Sequence, residues 1–359
     1  MRNTLASIKS RVRELRPYSL RADRVRVKLN QNENPWDATA RIKQETLRRI
    51  SDCAWSRYPS FVPQRLHERL AEFSGWTAEG IIAGNGSNEL IQALLMVTIG
   101  ERTRVLINEP TFALYRQIAT VLGGDVISVS LNAEFGFDVD ALRNAVWDLQ
   151  PQVTIVCSPN NPTGCVLSDD DLHSLLESTN GLIVIDEAYH EFAEHTVVPL
   201  LRRHENLVVL RTFSKAMAMA ALRVGYLLAS PELTREFSKA VLPYNLNVIS
   251  QTAAEVAVDM YEDELRPQVR RIIAERARLY DMLSLVNVLT PVRSLANFIL
   301  VRSAIDPKQV FAELINQDIL IRDVSSYPML SDCFRLSVGT PEENDLLLES
   351  LRGIFGARR

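Results

Sequence analysis

Residues 153–189 read VTIVCSPNNPTGCVLSDDDLHSLLESTNGLIVIDEAY, and this stretch decides the fold class. Two apolar runs, Val153–Cys157 and Leu182–Ile185, each end in polar residues, and a helical pattern near 169–179 separates them. Continuous apolar strands that alternate with helices are typical of a mostly parallel sheet covered on both faces. The stretch therefore predicts an α/β protein.

The same alternation extends on both sides of this stretch, from about residue 80 to residue 241. Further strand-like runs are Val105–Ile107, Val126–Val129, Leu207–Leu210 and Val224–Leu228, with helical patterns near 87–99, 112–122, 138–148 and 231–241. Then come a long helical stretch near 249–285, strand-like pieces at Asn297–Val301, Leu320–Arg322 and Cys333–Val338, and a closing helix from Pro341. We predict an N-terminal arm (1–36), a large domain with a mostly parallel central sheet flanked by helices (37–245), and a smaller α+β domain (246–359).

Composition narrows the class of protein further. The 359 residues are 47% hydrophobic and 23% charged, which is typical of a globular chain of about two domains. A net charge of −4 argues against a nucleic-acid or membrane-surface partner, and no apolar stretch approaches the roughly 20 residues that span a bilayer. The four scattered cysteines include no CxxC pair, which argues against a zinc site or disulfide framework and favours the reducing cytoplasm.

Polar motifs follow three of the predicted strands. They are Ser158–Gly164, Asp186–Tyr189 and Arg211–Lys215. Ligands of parallel α/β sheets bind beyond the carboxyl ends of the strands. We therefore expect these three motifs to line one site.

Two titratable residues in these motifs invite chemistry. Lys215 lies between a buried strand and a run of small apolar residues, so desolvation should lower its pKa and leave a neutral amine suited to carbonyl chemistry. The alternative is a lysine that extends from the strand end into water. Asp186 ends an apolar strand and needs a partner. A backbone amide, an arginine and a protonated heterocyclic nitrogen all remain open as that partner.

A glycine-rich turn at Gly84–Glu89 precedes a helical pattern. Free N–H groups at a helix start suit a phosphate, although a plain helix start capped by Ser87 is equally consistent with the sequence. The turn is neither a dinucleotide fingerprint nor a P-loop. Arg223, eight residues after Lys215, is a candidate partner for a phosphate at this turn.

The ordered set of motifs resembles that of the pyridoxal 5'-phosphate (PLP) aminotransferases of fold type I. The motifs are Asn161-Pro162-Thr163-Gly164, Asp186-x-x-Tyr189, Ser214-Lys215 and Arg223. Over nearly its whole length the chain most resembles the histidinol-phosphate aminotransferases. The supporting segments are Leu29–Pro35, Arg57–Pro59, Gly84–Glu89, Pro110–Tyr115, Pro243–Asn245, Ala296–Phe298 and Phe334–Thr340. The chain departs from that family at Asn88, where Asp is frequent, at Phe112, where Tyr is frequent, and in the loosely matching stretch Ile321–Cys333.

The resemblance implies roles for the residues around PLP. Lys215 would bond to the cofactor aldehyde and later move the substrate proton, and Asp186 would pair with the pyridinium nitrogen. Asn161 and Tyr189 would hydrogen-bond the 3' oxygen of the ring, and Phe112 would stack on its face. The residues implied to hold the phosphate are Ser87, Asn88, Thr212, Ser214 and Arg223.

The resemblance also implies substrate contacts and a homodimer. Arg335 would clamp a carboxylate, and Arg322 would hold the distal anion, which is a phosphate in one half-reaction and a carboxylate in the other. Tyr18 and Asn32 of the arm would close over the substrate. Tyr58 would reach the PLP of the neighbouring subunit, so that two subunits share each active site.

The implied reaction is amino transfer from L-histidinol phosphate to 2-oxoglutarate in histidine biosynthesis, giving imidazole-acetol phosphate and L-glutamate. An aromatic-amino-acid aminotransferase and a phosphothreonine-type decarboxylase of the same family remain alternatives. A non-catalytic protein of this fold is disfavoured because Lys215 and the Asp186-x-x-Tyr189 motif are both present. We expect no catalytic metal, because the sequence has no H-E-x-x-H motif and no histidine pair at helical spacing.

Overall fold

The computed structural model describes residues 4–17 and 24–356, and its central feature is a seven-stranded sheet. The first strand of the chain, β1 (Val27–Lys28), lies in the arm and is not part of this sheet. The seven strands of the sheet are β2 (Ile81–Gly84), β3 (Arg104–Glu109), β4 (Asp125–Ser130), β5 (Val153–Cys157), β6 (Leu182–Asp186), β7 (Leu207–Thr212) and β8 (Gly225–Leu228). Their spatial order is β2-β8-β7-β6-β5-β3-β4, and all except β8 run in the same direction. The predicted α/β class with a mostly parallel sheet is confirmed.

The sequence pattern predicted a strand at Val224–Leu228 but revealed neither β2 at the edge of the sheet nor the direction of β8. Strand β2 has only four residues and runs straight into the glycine-rich turn, so its apolar signal is short. Strand β8 is antiparallel to both neighbours. A parallel connection usually needs a full helix as crossover, whereas residues 213–224 between β7 and β8 contain one short 3-10 turn, Ala220–Leu222.

The helices of the described residues pack on the two faces of the central sheet or, for the last two along the chain, in the C-terminal part. They are α1 (Ser10–Glu14), α2 (Ala40–Ile50), α3 (Gln64–Ser74), α4 (Ser87–Thr98), α5 (Leu114–Leu122), α6 (Val139–Leu149), α7 (Asp169–Glu177), α8 (His190–Ala193), α9 (Pro231–Phe237), α10 (Val248–Asp259), α11 (Arg266–Ser284), α12 (Pro307–Ile315) and α13 (Pro341–Gly356). Further 3-10 turns lie at Thr4–Ser7, Ala78–Gly80, Val198–Arg202 and Ser238–Ala240. Within the described residues, no helix is both long enough and apolar enough to cross a membrane.

The inner strands β5, β6 and β7 are buried on both faces, as their continuous apolar sequences predict, whereas the edge strand β4 has no buried residue. Ile183 and Ile185 of β6 belong to one apolar core, whereas Val184 between them belongs to the core on the opposite face. Packing on both faces holds these strands in place in the sheet. It therefore also sets the positions of the polar residues at their carboxyl ends.

The long helix predicted near 249–285 is interrupted. Helix α10 ends at Asp259, a π-helical turn follows at Tyr261–Leu265, and α11 begins at Arg266. Pro267 lies in the first turn of α11, where its missing N–H leaves no helical hydrogen bond unmade. The break itself lies at Met260 (φ −109°, ψ 11°), and from Tyr261 the π-helical turn runs directly into α11.

The C-terminal part has a separate antiparallel sheet of order β12-β13-β10-β9. Its strands are β9 (Leu289–Pro291), β10 (Phe298–Ser303), β12 (Arg322–Asp323) and β13 (Cys333–Ser337), and β11 (Ile319–Leu320) pairs in parallel with β1 of the arm. The arm is thus joined to the C-terminal part by backbone hydrogen bonds. Helix α10 packs against α2 and α3, and the domain division at residue 245 stays a prediction.

Candidate active site

A cavity of about 410 Å³ opens at the carboxyl ends of β5, β6 and β7. Its lining includes thirteen residues that the sequence analysis assigns to the site: Asn32, Ser87, Asn88, Phe112, Asn161, Asp186, Tyr189, Thr212, Ser214, Lys215, Arg223, Arg322 and Arg335. Side chains from the arm, the central sheet and the C-terminal sheet therefore meet in one place. This is the convergence that the parallel-sheet rule predicts.

Lys215 is half-buried three residues beyond the end of β7. Its Nζ donates to the carbonyl oxygen of Gln31 in the arm at 2.8 Å. Desolvation, with the positive charge of Arg335 as a second cause, lowers the pKa of Lys215 to about 7. A large fraction of the amine is therefore neutral near pH 7, and a neutral amine can attack a carbonyl or accept a proton.

Asp186 is the last residue of β6 and is only 3% exposed. Its Oδ1 accepts from the backbone N–H of Ala188 at 3.0 Å, and its Oδ2 accepts from the hydroxyl of Tyr115 at 2.6 Å. Burial raises the pKa of Asp186 to about 6, and both of these donors act against that rise. The two donors therefore stabilise the Asp186 carboxylate only in part, and a protonated ring nitrogen would stabilise it further.

Donors for an anion surround the start of α4. Gly86 is the residue before the helix and has a φ of 81°, and no side chain caps the helix, so Ser87 does not act as the N-cap. Arg223 donates from Nη1 to the Ser214 hydroxyl oxygen at 3.1 Å, and the Thr212 hydroxyl donates to the same oxygen at 3.0 Å. A guanidinium, hydroxyls and a helix start together fit a phosphate.

A close approach of backbone and side chain shapes this anion site. A Cβ atom added at Gly86 would lie 2.5 Å from Nη2 of Arg223, so glycine lets the guanidinium lie against the turn. Another Cβ, added at Gly225 of β8, would lie 2.4 Å from the backbone nitrogen of Ser87. A side chain at either glycine would therefore occupy this space, which we call the phosphate cradle: Gly86, Gly225, Arg223 and the start of α4.

Two arginines lie side by side on the C-terminal sheet. Arg322 of β12 and Arg335 of β13 are directly paired across the antiparallel ladder, and both line the cavity. Like charges directly opposite each other are unfavourable, so an anion between them would be stabilising. Arg335 also donates to Oδ1 of Asn161 and, at 2.7 Å, to the carbonyl oxygen of Asn30.

The arm contributes Asn32, which is 1% exposed and has a φ of 54°. Its Nδ2 donates to the Tyr189 hydroxyl oxygen at 3.1 Å, and its Oδ1 accepts from the Ser337 hydroxyl at 3.0 Å. Asparagine tolerates this left-handed backbone better than most residues. Asn32 therefore joins the arm to Tyr189 in the sheet and to the C-terminal part.

Among the candidate residues that the structure describes, Tyr58 does not line the cavity. Tyr58 is 80% exposed and stacks on Tyr244 with ring centroids 4.5 Å apart. Its predicted contact is with a neighbouring subunit, and that contact stays a prediction. Tyr18 lies outside the described residues.

The cavity also contains residues to which the sequence analysis gave no role. Tyr115 hydrogen-bonds Asp186 and makes an edge contact with Phe112, with centroids 5.5 Å apart. The motif around Phe112 contains Tyr115, and the helical spacing of three could have indicated that the two rings share a face. Tyr327 also lines the cavity and belongs to Ile321–Cys333, the stretch that matches the family only loosely. The carbonyl of Gln31 is a backbone group, so no side chain in the sequence could have indicated its contact with Lys215.

The donor set determines which bound group the cavity could take. Within the residues that the structure describes, no group of three or more His, Cys, Asp and Glu side chains could hold a metal ion. The cavity instead combines an amine for a carbonyl, a buried acceptor for a ring nitrogen and a cradle for a phosphate. These residues fit a phosphorylated heterocyclic aldehyde.

Comparisons with known proteins agree on one family. The sequence profile of the family described as Aminotransferase class I and II matches residues 24–351. A histidinol-phosphate aminotransferase of Chlorobaculum tepidum is 37% identical over 327 residues, which cover 91% of this chain and 93% of that protein. Histidinol-phosphate aminotransferase 1 of Carboxydothermus hydrogenoformans is 39% identical over 342 residues, covering 95% and 97%.

Solved structures support the fold. The histidinol-phosphate aminotransferase of Sinorhizobium meliloti in complex with pyridoxal-5'-phosphate superposes with a TM-score of 0.85 at 23% identity, covering 94% of this chain and 92% of that one. The enzyme of the same name from Clostridium acetobutylicum gives a TM-score of 0.85 at 22% identity, covering 92% and 99%.

Proposed function

Because this chain belongs to the class I and II aminotransferase family, we propose that it is a PLP-dependent histidinol-phosphate aminotransferase. It would transfer the amino group of L-histidinol phosphate to 2-oxoglutarate and release imidazole-acetol phosphate and L-glutamate. The observation that carries this proposal is the identity of 37% and 39% to two relatives of that name over more than nine-tenths of the chain. The cavity that unites Lys215, Asp186 and a phosphate cradle supports the chemistry.

The chain holds PLP through groups at both ends of the cofactor. When bound, PLP supplies an aldehyde that takes up amino groups and a ring that accepts electron density from the substrate Cα. Arg223, Ser214 and the N–H groups at the start of α4 would hold its phosphate. Asp186 would hold a proton on the ring nitrogen, and Tyr189 would donate to the ring oxygen.

Lys215 carries the proton transfer. With a pKa lowered to about 7, its Nζ would accept the proton that leaves the substrate Cα and hold it for return to the product. The second half-reaction runs these steps in reverse with 2-oxoglutarate. The Gln31 carbonyl, 2.8 Å from Nζ, keeps the amine near the arm that borders the substrate space.

The paired arginines account for two different anionic substrates. We propose that Arg335 holds the α-carboxylate of glutamate, while Arg322 holds the distal anion of either substrate. A phosphate and a side-chain carboxylate both match a guanidinium, so one site serves both half-reactions. Tyr18 and Asn32 of the arm would close over the bound molecule.

We also propose a homodimer in which Tyr58 completes the partner's cofactor site. Tyr58, Phe61 and Tyr244 form an exposed aromatic cluster, with the first two 80% and 66% exposed. Exposed apolar clusters of this kind mark protein interaction sites. The cytoplasmic location stays a prediction from the sequence.

A screen of the first half-reaction tests the substrate. The holoenzyme is mixed separately with L-histidinol phosphate, phenylalanine and phosphothreonine, and loss of the yellow cofactor band and release of carbon dioxide are followed. We expect histidinol phosphate to bleach the band fastest and no carbon dioxide from any donor. Faster bleaching by phenylalanine would point to an aromatic aminotransferase, and carbon dioxide from phosphothreonine would point to a decarboxylase.

A further inference from the structure

Tyr115 makes a hydrogen bond that no role assigned above explains. It is the second residue of α5, is 0% exposed, and its hydroxyl lies 2.6 Å from Oδ2 of Asp186. The other carboxylate oxygen accepts from the Ala188 backbone N–H. Each oxygen of this buried acid therefore has one donor from the protein.

The direction of this hydrogen bond is fixed by the neighbouring groups. Burial and the Asp186 carboxylate raise the pKa of Tyr115 well above its usual range, so the phenol keeps its proton and donates it. The remaining titratable groups near Asp186 are Glu187, Tyr189, Lys215 and Cys157, which pairs with it across β5 and β6 and also interacts with the Tyr115 hydroxyl. Glu187 is already paired with Arg211 at 2.9 Å.

From this geometry we propose that Tyr115 is a positioning residue that keeps Asp186 ionised and aimed at the ring nitrogen of PLP. The proposal deepens the proposed function and rests on it. A carboxylate that loses a buried donor becomes more basic, because desolvation then favours its protonated form more strongly. Without the Tyr115 hydroxyl, Asp186 would draw the proton away from the ring nitrogen, and the ring would accept electron density less well.

The substitution Tyr115→Phe tests this while keeping the ring that packs in the core. Its matched control is Tyr226→Phe, which also removes a buried hydroxyl. The Tyr226 hydroxyl accepts a hydrogen bond from Arg211 at 3.3 Å and does not line the cavity. Both holoenzymes are prepared with PLP labelled with ¹⁵N in the ring, and the ¹⁵N chemical shift is compared with that of wild type. Thermal unfolding of both variants shows whether each is folded.

We expect the ¹⁵N resonance of Tyr115→Phe to move towards the unprotonated position, and that of Tyr226→Phe to stay at the wild-type position. The kcat should fall by about tenfold or more in Tyr115→Phe while KM changes little, because a hydrogen bond to a buried charge is lost. An unchanged ¹⁵N shift in Tyr115→Phe, or an equal shift in both variants, would overturn the role of Tyr115. A wild-type protein that binds no PLP would overturn the proposed function itself.

Discussion

Lys215 is the residue whose ionisation should be visible in the stability of the cofactor-free protein. Its pKa falls from 10.5 to about 7 on folding because the folded protein desolvates the amine. Between these values the unfolded chain binds more protons than the folded chain, so the free energy of unfolding rises with pH. The rise should approach about 1.4 kcal/mol per pH unit for one group.

Urea unfolding of the cofactor-free protein at pH 7, 8 and 9 measures this effect. We expect the free energy of unfolding of wild type to gain on that of Lys215→Met as the pH increases. The control is Lys239→Met, at an exposed lysine, whose profile should run parallel to that of wild type. Parallel profiles for wild type and Lys215→Met would show that the Lys215 amine is not desolvated.

How far the site could be predicted depends on the residue. The positions of Lys215 and Asp186 in the site could be predicted from the sequence, because each lies at or just beyond the end of an apolar strand. The bond from Tyr115 to Asp186 spans 71 positions and depends on the packing of α5, which no local pattern encodes. The contact of Lys215 with the Gln31 carbonyl could not be predicted for another reason. Every residue has the same backbone carbonyl, so the residue type gives no signal.

The first turn of α4 is the element on which phosphate binding depends. Gly86→Ala would place a Cβ 2.5 Å from Nη2 of Arg223 and displace the guanidinium from its place beside Ser214. The affinity for PLP should therefore fall by about tenfold or more, the worth of a lost hydrogen bond to a charged group. Fluorescence titration of the cofactor-free protein with PLP measures it.

Gly75 supplies the matched control for this element. It also has a positive φ, 70°, but a Cβ there would meet nothing within 4 Å. Gly75→Ala, in the left-handed helical region with a ψ of 28°, should lose about 1 kcal/mol of stability. Gly86→Ala, whose ψ of 161° suits only glycine, should lose about 1–3 kcal/mol, and only this variant should bind PLP more weakly. Equal PLP affinities in the two variants would contradict the role of the turn.

At the same scale, the long buried strands were predictable, whereas the interruptions and several short or N-terminal elements were not. The apolar runs of β5, β6 and β7 are buried on both faces, and this double burial produces a strong signal. The reversed direction of β8 arises from a short connection, and the break between α10 and α11 lies at Met260, where the sequence has neither proline nor glycine. Helices α2 and α3 were missed because they lie where no strand alternation frames them.

The whole molecule is proposed to work as a dimer with shared sites, and mixing two inactive variants tests this. Lys215→Ala and Tyr58→Ala are unfolded together, refolded as an equal mixture, and assayed. A mixed dimer has one site with an intact Lys215 from one subunit and an intact Tyr58 from the other. Random pairing makes half of the dimers mixed, so about a quarter of wild-type activity should return.

Each variant refolded alone provides the control for this mixture and should stay nearly inactive. No gain in the mixture would mean that Tyr58 serves the site of its own chain, and wild-type activity of Tyr58→Ala alone would mean that it serves no site. Sedimentation of the wild-type protein adds a separate check, because a monomer would contradict the shared site directly.

The central claim, that PLP is bonded to Lys215, is tested most directly by trapping that bond. The full chain is incubated with PLP, reduced with borohydride and digested, and the lysine that carries the pyridoxyl group is located by mass spectrometry. The other five lysines (Lys9, Lys28, Lys43, Lys239 and Lys308) are all exposed, so nonspecific labelling would fall on them. We predict a single label on Lys215; a label confined to the exposed lysines, or none, would contradict the account.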